Sequence, residues 1–140
     1  DYNNDGLLDV ITTVHNFGFT EAAIQIYRNV EGRSFASSLV KYEQEPNTSS
    51  FIPWLELADV NHDDWDELLF TIRDTSKAQN TSVNARLMLG GPDFNFVDAT
   101  HCLPENLKLE PGFVHFLKSA DDAKIVHINH HGEFKVYSNK

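Results

Sequence analysis

The sequence has one cysteine, Cys102, one methionine, and only 11 basic residues against 21 acidic ones. One cysteine excludes an internal disulfide framework and a Cys-rich zinc site. The shortage of Lys and Arg excludes a nucleic-acid backbone as the default partner, because phosphate binding needs a basic face. Anionic membranes are disfavoured on the same ground. No apolar run approaches the roughly 18–20 residues that span a bilayer, so no membrane insertion is expected within this segment. No stretch carries a 3.6-residue apolar stripe over three turns; Phe19 to Ile26 comes nearest and fits a strand entry better. Nucleophilic catalysis finds no support either. His101 and Cys102 are neighbours in sequence, which makes no dyad, and Cys102 is expected to be a small buried residue. The chain is therefore not expected to be an enzyme. It starts at Asp1, inside a polar motif, with no initiator Met or signal peptide, and is expected to be a piece of a longer protein.

What is present is a core-forming chain with a repeat. Its 140 residues are 41% hydrophobic, enough to bury a sizeable core. Asp1-Tyr2-Asn3-Asn4-Asp5-Gly6-Leu7-Leu8-Asp9-Val10-Ile11 lies over Asp59-Val60-Asn61-His62-Asp63-Asp64-Trp65-Asp66-Glu67-Leu68-Leu69 at an offset of 58 residues. A second feature recurs downstream. Ile24-Gln25-Ile26-Tyr27-Arg28-Asn29, a Gly turn and Phe35 match Ala85-Arg86-Leu87-Met88-Leu89-Gly90, Pro92 and Phe96, and Phe134 to Asn139 echoes Ile24 to Asn29. A period near 60 signals repeat architecture, in which each unit buries a face against its neighbour. The units expected are 1–58, 59–116 and a partial, degenerate 117–140. Alternation in Ile24–Arg28 and Trp54–Ala58, with β-rich runs at Val10–Val14 and Leu68–Ile72, makes them all-β. Glu31-Gly32, Gly90-Gly91-Pro92 and His131-Gly132-Glu133 punctuate hairpins. Several short strands per unit suggest β-propeller blades, ahead of a β-solenoid.

The acids are unevenly placed, three in residues 1–9 and five in residues 59–67. Oxygen side chains at positions 1, 3, 5 and 9 of a tight loop converge on one point. Those residues are Asp1, Asn3, Asp5 and Asp9, then Asp59, Asn61, Asp63 and Glu67, with the carbonyls of Leu7 and Trp65 able to complete each shell. An all-oxygen set of this kind suits a hard divalent cation, Ca²⁺ before Mg²⁺. Two such ions would bring the formal charge of −10 to about −6. Gly6 permits the positive φ of a sharp turn, and Asp64 stands in its place in the second loop. An EF-hand is disfavoured, because position 12 is Thr12 or Phe70 and the loops run into β-rich sequence. A plain polar hairpin is the competing explanation, against which stands the self-repulsion of five carboxylates in nine positions.

Asp-x-Asn-x-Asp-Gly-x-x-Asp followed by a β run, Ile-Tyr-Arg-Asn, a Gly turn and Phe resembles the FG-GAP/VCBS repeat, the family of integrin α-like β-propellers. The resemblance implies four-stranded blades, here two full units plus a partial third, within a larger seven-bladed propeller completed by remaining blades of the same chain. It implies one Ca²⁺ at Asp1, Asn3, Asp5, Leu7 and Asp9, and another at Asp59, Asn61, Asp63, Trp65 and Glu67. The third unit's stretch, Phe116 to Lys124, lacks the ligands, and Lys118 or Lys124 is expected as a local cation instead. Extracellular, cell-surface or periplasmic placement follows from the same resemblance.

Other residues carry weaker signals. His127 and His131 would share a strand face, but Gly132 puts them at a hairpin tip and no carboxylate or Cys accompanies them at zinc-ligand spacing. His62 is expected to be solvated. Trp54 and Trp65 offer a sugar-stacking platform, although packing between blades and over a loop is the simpler role. Asn47-Thr48-Ser49 and Asn80-Thr81-Ser82 are glycosylation acceptors in an exported eukaryotic protein. The expected function is a calcium-stabilised propeller segment of a secreted binding or adhesion protein that contacts protein or glycan ligands. The alternatives are a non-catalytic propeller domain of a larger polysaccharide-active enzyme and a cytosolic propeller scaffold.

Overall fold

The computed structural model describes residues 1–18, 21–41, 50–74, 83–92, 95–104, 108–109, 112–119, 122–129 and 131–138. Both sequons lie outside them. The described residues form strands and tight turns, with a short 3-10 turn at Thr100–Cys102 and no α-helix among them, and no helix among them is long and apolar enough to cross a membrane.

Three antiparallel sheets follow one another along the chain. Strands β1 (Val10–His15), β2 (Ala22–Val30) and β3 (Ser34–Lys41) make the first. The second contains β4 (Ser50–Ala58), β5 (Glu67–Asp74), β6 (Val83–Leu89) and β7 (Val97–Asp98), with β8 (Lys108–Leu109) also on β6. The third contains β9 (Gly112–Ser119), β10 (Asp122–Asn129) and β11 (Phe134–Ser138). The all-β expectation is met, in units that resemble blades. Glu31-Gly32 turns β2 into β3, and His131-Gly132 turns β10 into β11, with Glu31, Gly32 and Gly132 at positive φ. The sequence period starts at the acidic loop, whereas the sheet starts one strand earlier. Residues 59–66 join β4 to β5, which pair from Ala58↔Glu67 onward.

Successive side chains point to opposite faces of a strand, and the sheets stack through their apolar faces, the second sheet through both of its own. Ala22 and Ile24 of the first sheet pack with Ile52, Leu68, Phe70 and Ile72 of the second, with Ile11 and Met88 beside them. On the opposite face of the second sheet, Leu69 and Ala85 pack with Val114 of the third, flanked by Phe116, Ile125 and Tyr137. Across the 58-residue offset Ile11 corresponds to Leu69, and in the downstream motif Ile24 corresponds to Ala85 and Tyr27 to Met88. Through Ile11 and Ile24, and then Leu69 and Ala85, the first two sheets use the same positions to meet the sheet that follows, whereas Met88 packs on the sheet before it. A polar joint reinforces the second contact. The Phe116 N–H donates to Glu56 Oε2 (3.0 Å), His115 Nδ1 stands 3.3 Å from the same oxygen, and the Trp54 and His115 rings meet edge-on at 5.2 Å.

Candidate functional site

The two acidic loops fold alike because the same short polar side chains reach the same backbone donors. Asp5 N–H donates to Asp1 Oδ1 (3.0 Å) and Asn3 Oδ1 (3.3 Å); Asp63 N–H donates to Asp59 Oδ1 (3.2 Å) and Asn61 Oδ1 (3.0 Å). Leu7 N–H reaches Asp5 Oδ1 (2.9 Å) as Trp65 N–H reaches Asp63 Oδ1 (3.0 Å). The side-chain amide of Asn3 donates to Asp5 Oδ2 (2.7 Å), and that of Asn61 to Asp63 Oδ2 (2.9 Å). The last carboxylate closes each loop onto its second residue, Tyr2 N–H to Asp9 Oδ2 (3.0 Å) and Val60 N–H to Glu67 Oε2 (2.8 Å). Glu67 spans its loop as Asp9 does, despite an extra methylene. These are Asx-type turns, in which side-chain oxygens replace backbone acceptors.

The backbone agrees in detail. Asn4 (φ 56°) matches His62 (φ 62°), and Gly6 (φ 85°) matches Asp64 (φ 71°). Left-handed φ is costly for most residues but accessible to Asn and Asp, so Asp64 occupies the turn position without reshaping it. His62 is exposed, as expected.

The downstream motif belongs to the same site. Asn29 N–H donates to Asp9 Oδ1 (2.8 Å), and the Asn29 side chain holds the Leu8 carbonyl (3.1 Å). Gly90, which occupies Asn29's place in the second unit, supplies its backbone to Glu67. The two sequence features recur together because the second caps the first. Nothing in the local pattern of Ile-Tyr-Arg-Asn reveals that; only the spatial return of the strand does.

Electrostatics differ between the loops. Asp5 is held below the usual carboxylate range by Asn3 and then by Leu7 N–H. Glu67 is fully buried, and burial pushes its pKa up, aided by Asp63 and Asp59 and opposed by the backbone of Val60 and Gly90. Tyr2 is buried as well, and its hydroxyl is pushed up to about 12, chiefly by burial, with the Gly91 backbone pulling the other way.

Among the described residues, no three His, Cys, Asp or Glu side chains stand together as a finished metal cage. In each loop the carboxylates are turned onto backbone N–H groups and an Asn amide. The donor set nevertheless fits a hard cation chemically: carboxylate, amide and carbonyl oxygens, without sulfur or imidazole, on one short turn. Asp1, Asn3, Asp5, Leu7 and Asp9 share one loop, and Asp59, Asn61, Asp63, Trp65 and Glu67 share the other. In the third sheet only residues 120 and 121 separate the paired Ser119 and Asp122, so there is no room for a nine-residue loop. Lys118 and Lys124 lie on β9 and β10, in register with Ala123 and Leu117.

The remaining candidates scatter. His127 is buried in β10 while His131 is exposed in the following turn, where its N–H donates to Asn129 Oδ1 (3.0 Å). Cys102 corrects the expectation of a buried residue. It is exposed at the end of the 3-10 turn, its Sγ 3.5 Å from His101 Nε2, because that turn faces solvent. Trp54 meets His115 of the next sheet, and the Trp65 ring lies 6.4 Å from that of Tyr2.

Residues 1–70, half of the chain, match the FG-GAP-like repeat. The chain belongs to the FG-GAP-like repeat family. No curated protein and no solved structure matches it. The family match spans the first loop, its capping strand and the whole of the second loop, so both acidic turns of this FG-GAP-like chain fall inside it.

Proposed function

We propose that this FG-GAP-like chain is a Ca²⁺-stabilised segment of a β-propeller in a binding or adhesion protein outside the cytosol, one that presents surface to a protein or glycan ligand. The supporting observation is the pair of loops with one shared scaffold, each offering oxygen donors and each closed by a carboxylate that a returning strand caps. A divalent cation would be held by Asp1, Asn3, Asp5, Leu7 and Asp9, and a second by Asp59, Asn61, Asp63, Trp65 and Glu67. Its contribution is charge neutralisation within the turn, which the fully buried Glu67 beside Asp59 and Asp63 requires most. Millimolar Ca²⁺ outside cells fills loops of modest affinity that the cytosol leaves empty.

Thermal melts in CaCl₂ and in EGTA test this. At a free Ca²⁺ concentration of 100 times Kd, one site adds about 2.7 kcal/mol, which raises Tm by roughly 5–10 °C in a chain of this size. A melt indifferent to EGTA overturns the proposal.

A further inference from the structure

The two loops touch, through residues that are not candidate ligands. The Asn4 side-chain amide donates to the Asp64 carbonyl (2.8 Å). Both are left-handed residues, Asn4 with φ 56° and Asp64 with φ 71°, so this bond joins a conformationally restricted point of one turn to one of the other. Tyr2 makes a second tie. Its backbone closes loop one on Asp9, while its ring lies against Trp65 (6.4 Å) and Phe96 (5.1 Å). Its hydroxyl sits over Gly90, beside the Asp66 backbone. Whatever fixes the Asp1–Asp9 turn therefore also fixes the donor to Asp64 and the ring beside Trp65.

We propose that the two loops bind their cations as a coupled pair, filling of either one tightening the other, with Asn4 and Tyr2 as the positioning residues that carry the coupling. The inference rests on the cation-binding function proposed above. The physical basis is shared ordering: the first ion meets the cost of fixing the common contact, and the second does not. Repulsion between two divalent ions works the other way, but added salt weakens that repulsion and leaves a direct contact intact.

The test uses the intact chain carrying Trp54→Phe, which leaves Trp65 as the sole tryptophan. CaCl₂ is titrated while Trp65 emission and binding heat are followed. Two ions are expected, the second bound about fivefold or more tightly than the first, with the steepness kept at high KCl. Asn4→Ala should still take up two ions and still melt higher in Ca²⁺, but with the shallow isotherm of independent sites. Tyr2→Leu, which removes the ring beside Trp65 and Phe96, serves as the second variant should Asn4→Ala fold poorly. Independent or anti-cooperative binding in the parent overturns the proposal, as does unchanged steepness in both variants. No Ca²⁺ uptake at all overturns it together with the function beneath it, a result distinct from uptake without coupling.

Discussion

A Cβ at Gly90 would collide with the Asp66 carbonyl oxygen and crowd the Tyr2 hydroxyl at 2.8 Å. The first of those is backbone and cannot swing aside, so Gly90→Ala should cost about 1–3 kcal/mol in urea denaturation. Gly91→Ala, whose nearest neighbour is Asn95 O at 3.3 Å, should cost far less. Gly6 is constrained differently: nothing stands within 4 Å, but φ is 85°. Gly6→Ala should therefore lose about 1 kcal/mol to backbone strain alone, and Gly6→Asn less, much as loop two accommodates Asp64. Glu67 offers a test in pH. Its raised folded pKa means that the folded chain holds that proton more tightly than the unfolded chain. Its contribution to stability is complete below about pH 4.5 and is lost as pH rises through the folded value. In EGTA at pH 7, Glu67→Gln should unfold at higher urea than the parent, with the gap closing toward pH 4.5. In CaCl₂ the same variant should lose most of its Ca²⁺-dependent gain, so one substitution moves the two conditions in opposite directions.

At the scale of elements, the strands were legible because alternation is a local property. The alternating Ile24–Arg28 and Trp54–Ala58 fall within β2 and β4, and the β-rich runs Val10–Val14 and Leu68–Ile72, an equally local signal, fall within β1 and β5. The acidic turns were legible for a similar reason, since each is built within nine consecutive residues. What spacing could not show is any partner brought by a returning strand: Asn29 on Asp9, Glu56 on Phe116, or Tyr2 on Trp65, each made across 20 to 63 positions. Tyr2 is the clearest case, a single aromatic within a polar loop that carries no periodic signal yet is buried. The phase of the repeat was hidden as well. A repeat has no intrinsic starting point in sequence, and only pairing places β4 with the loop that follows it. At this scale Asp98 makes a further prediction. Its carboxylate accepts from the Thr100 N–H at the start of the 3-10 turn (2.8 Å), and Thr100 holds it below the usual range, with Arg86 at 3.8 Å adding to the effect. That contribution is present above about pH 3.8 and is lost as pH falls through the folded value. Asp98→Asn should therefore weaken the chain slightly at pH 7 and not at all in stronger acid, as read by paired urea curves.

Across the whole molecule, each joint is head-to-tail: the positions a sheet turns toward its successor differ from those it turns toward its predecessor. Ile24 and Ala85, which face forward, are 1% and 8% exposed, whereas Phe134 at the corresponding place in the third sheet is 71% exposed. At the other end Val10, the counterpart of the fully buried Leu68, is 47% exposed. The two exposed faces thus carry different positions of the repeat, a forward one in the third sheet and a backward one in the first. Sedimentation of the chain alone should show concentration-dependent association that Phe134→Lys or Val10→Lys weakens. An equimolar mixture of those two variants should stop at dimers, since each keeps one sound face; restored higher association would contradict a directional joint. The enclosure of the acidic turn between β4 and β5 has a genetic consequence. A recombination point between residues 41 and 50, mirrored one repeat later, would move β4 to β7 with the turn they enclose and both contact faces as one cassette. Gains or losses of a single period would then preserve reading frame, packing partners and turn chemistry together, and lineages of such chains should vary in length by whole repeats.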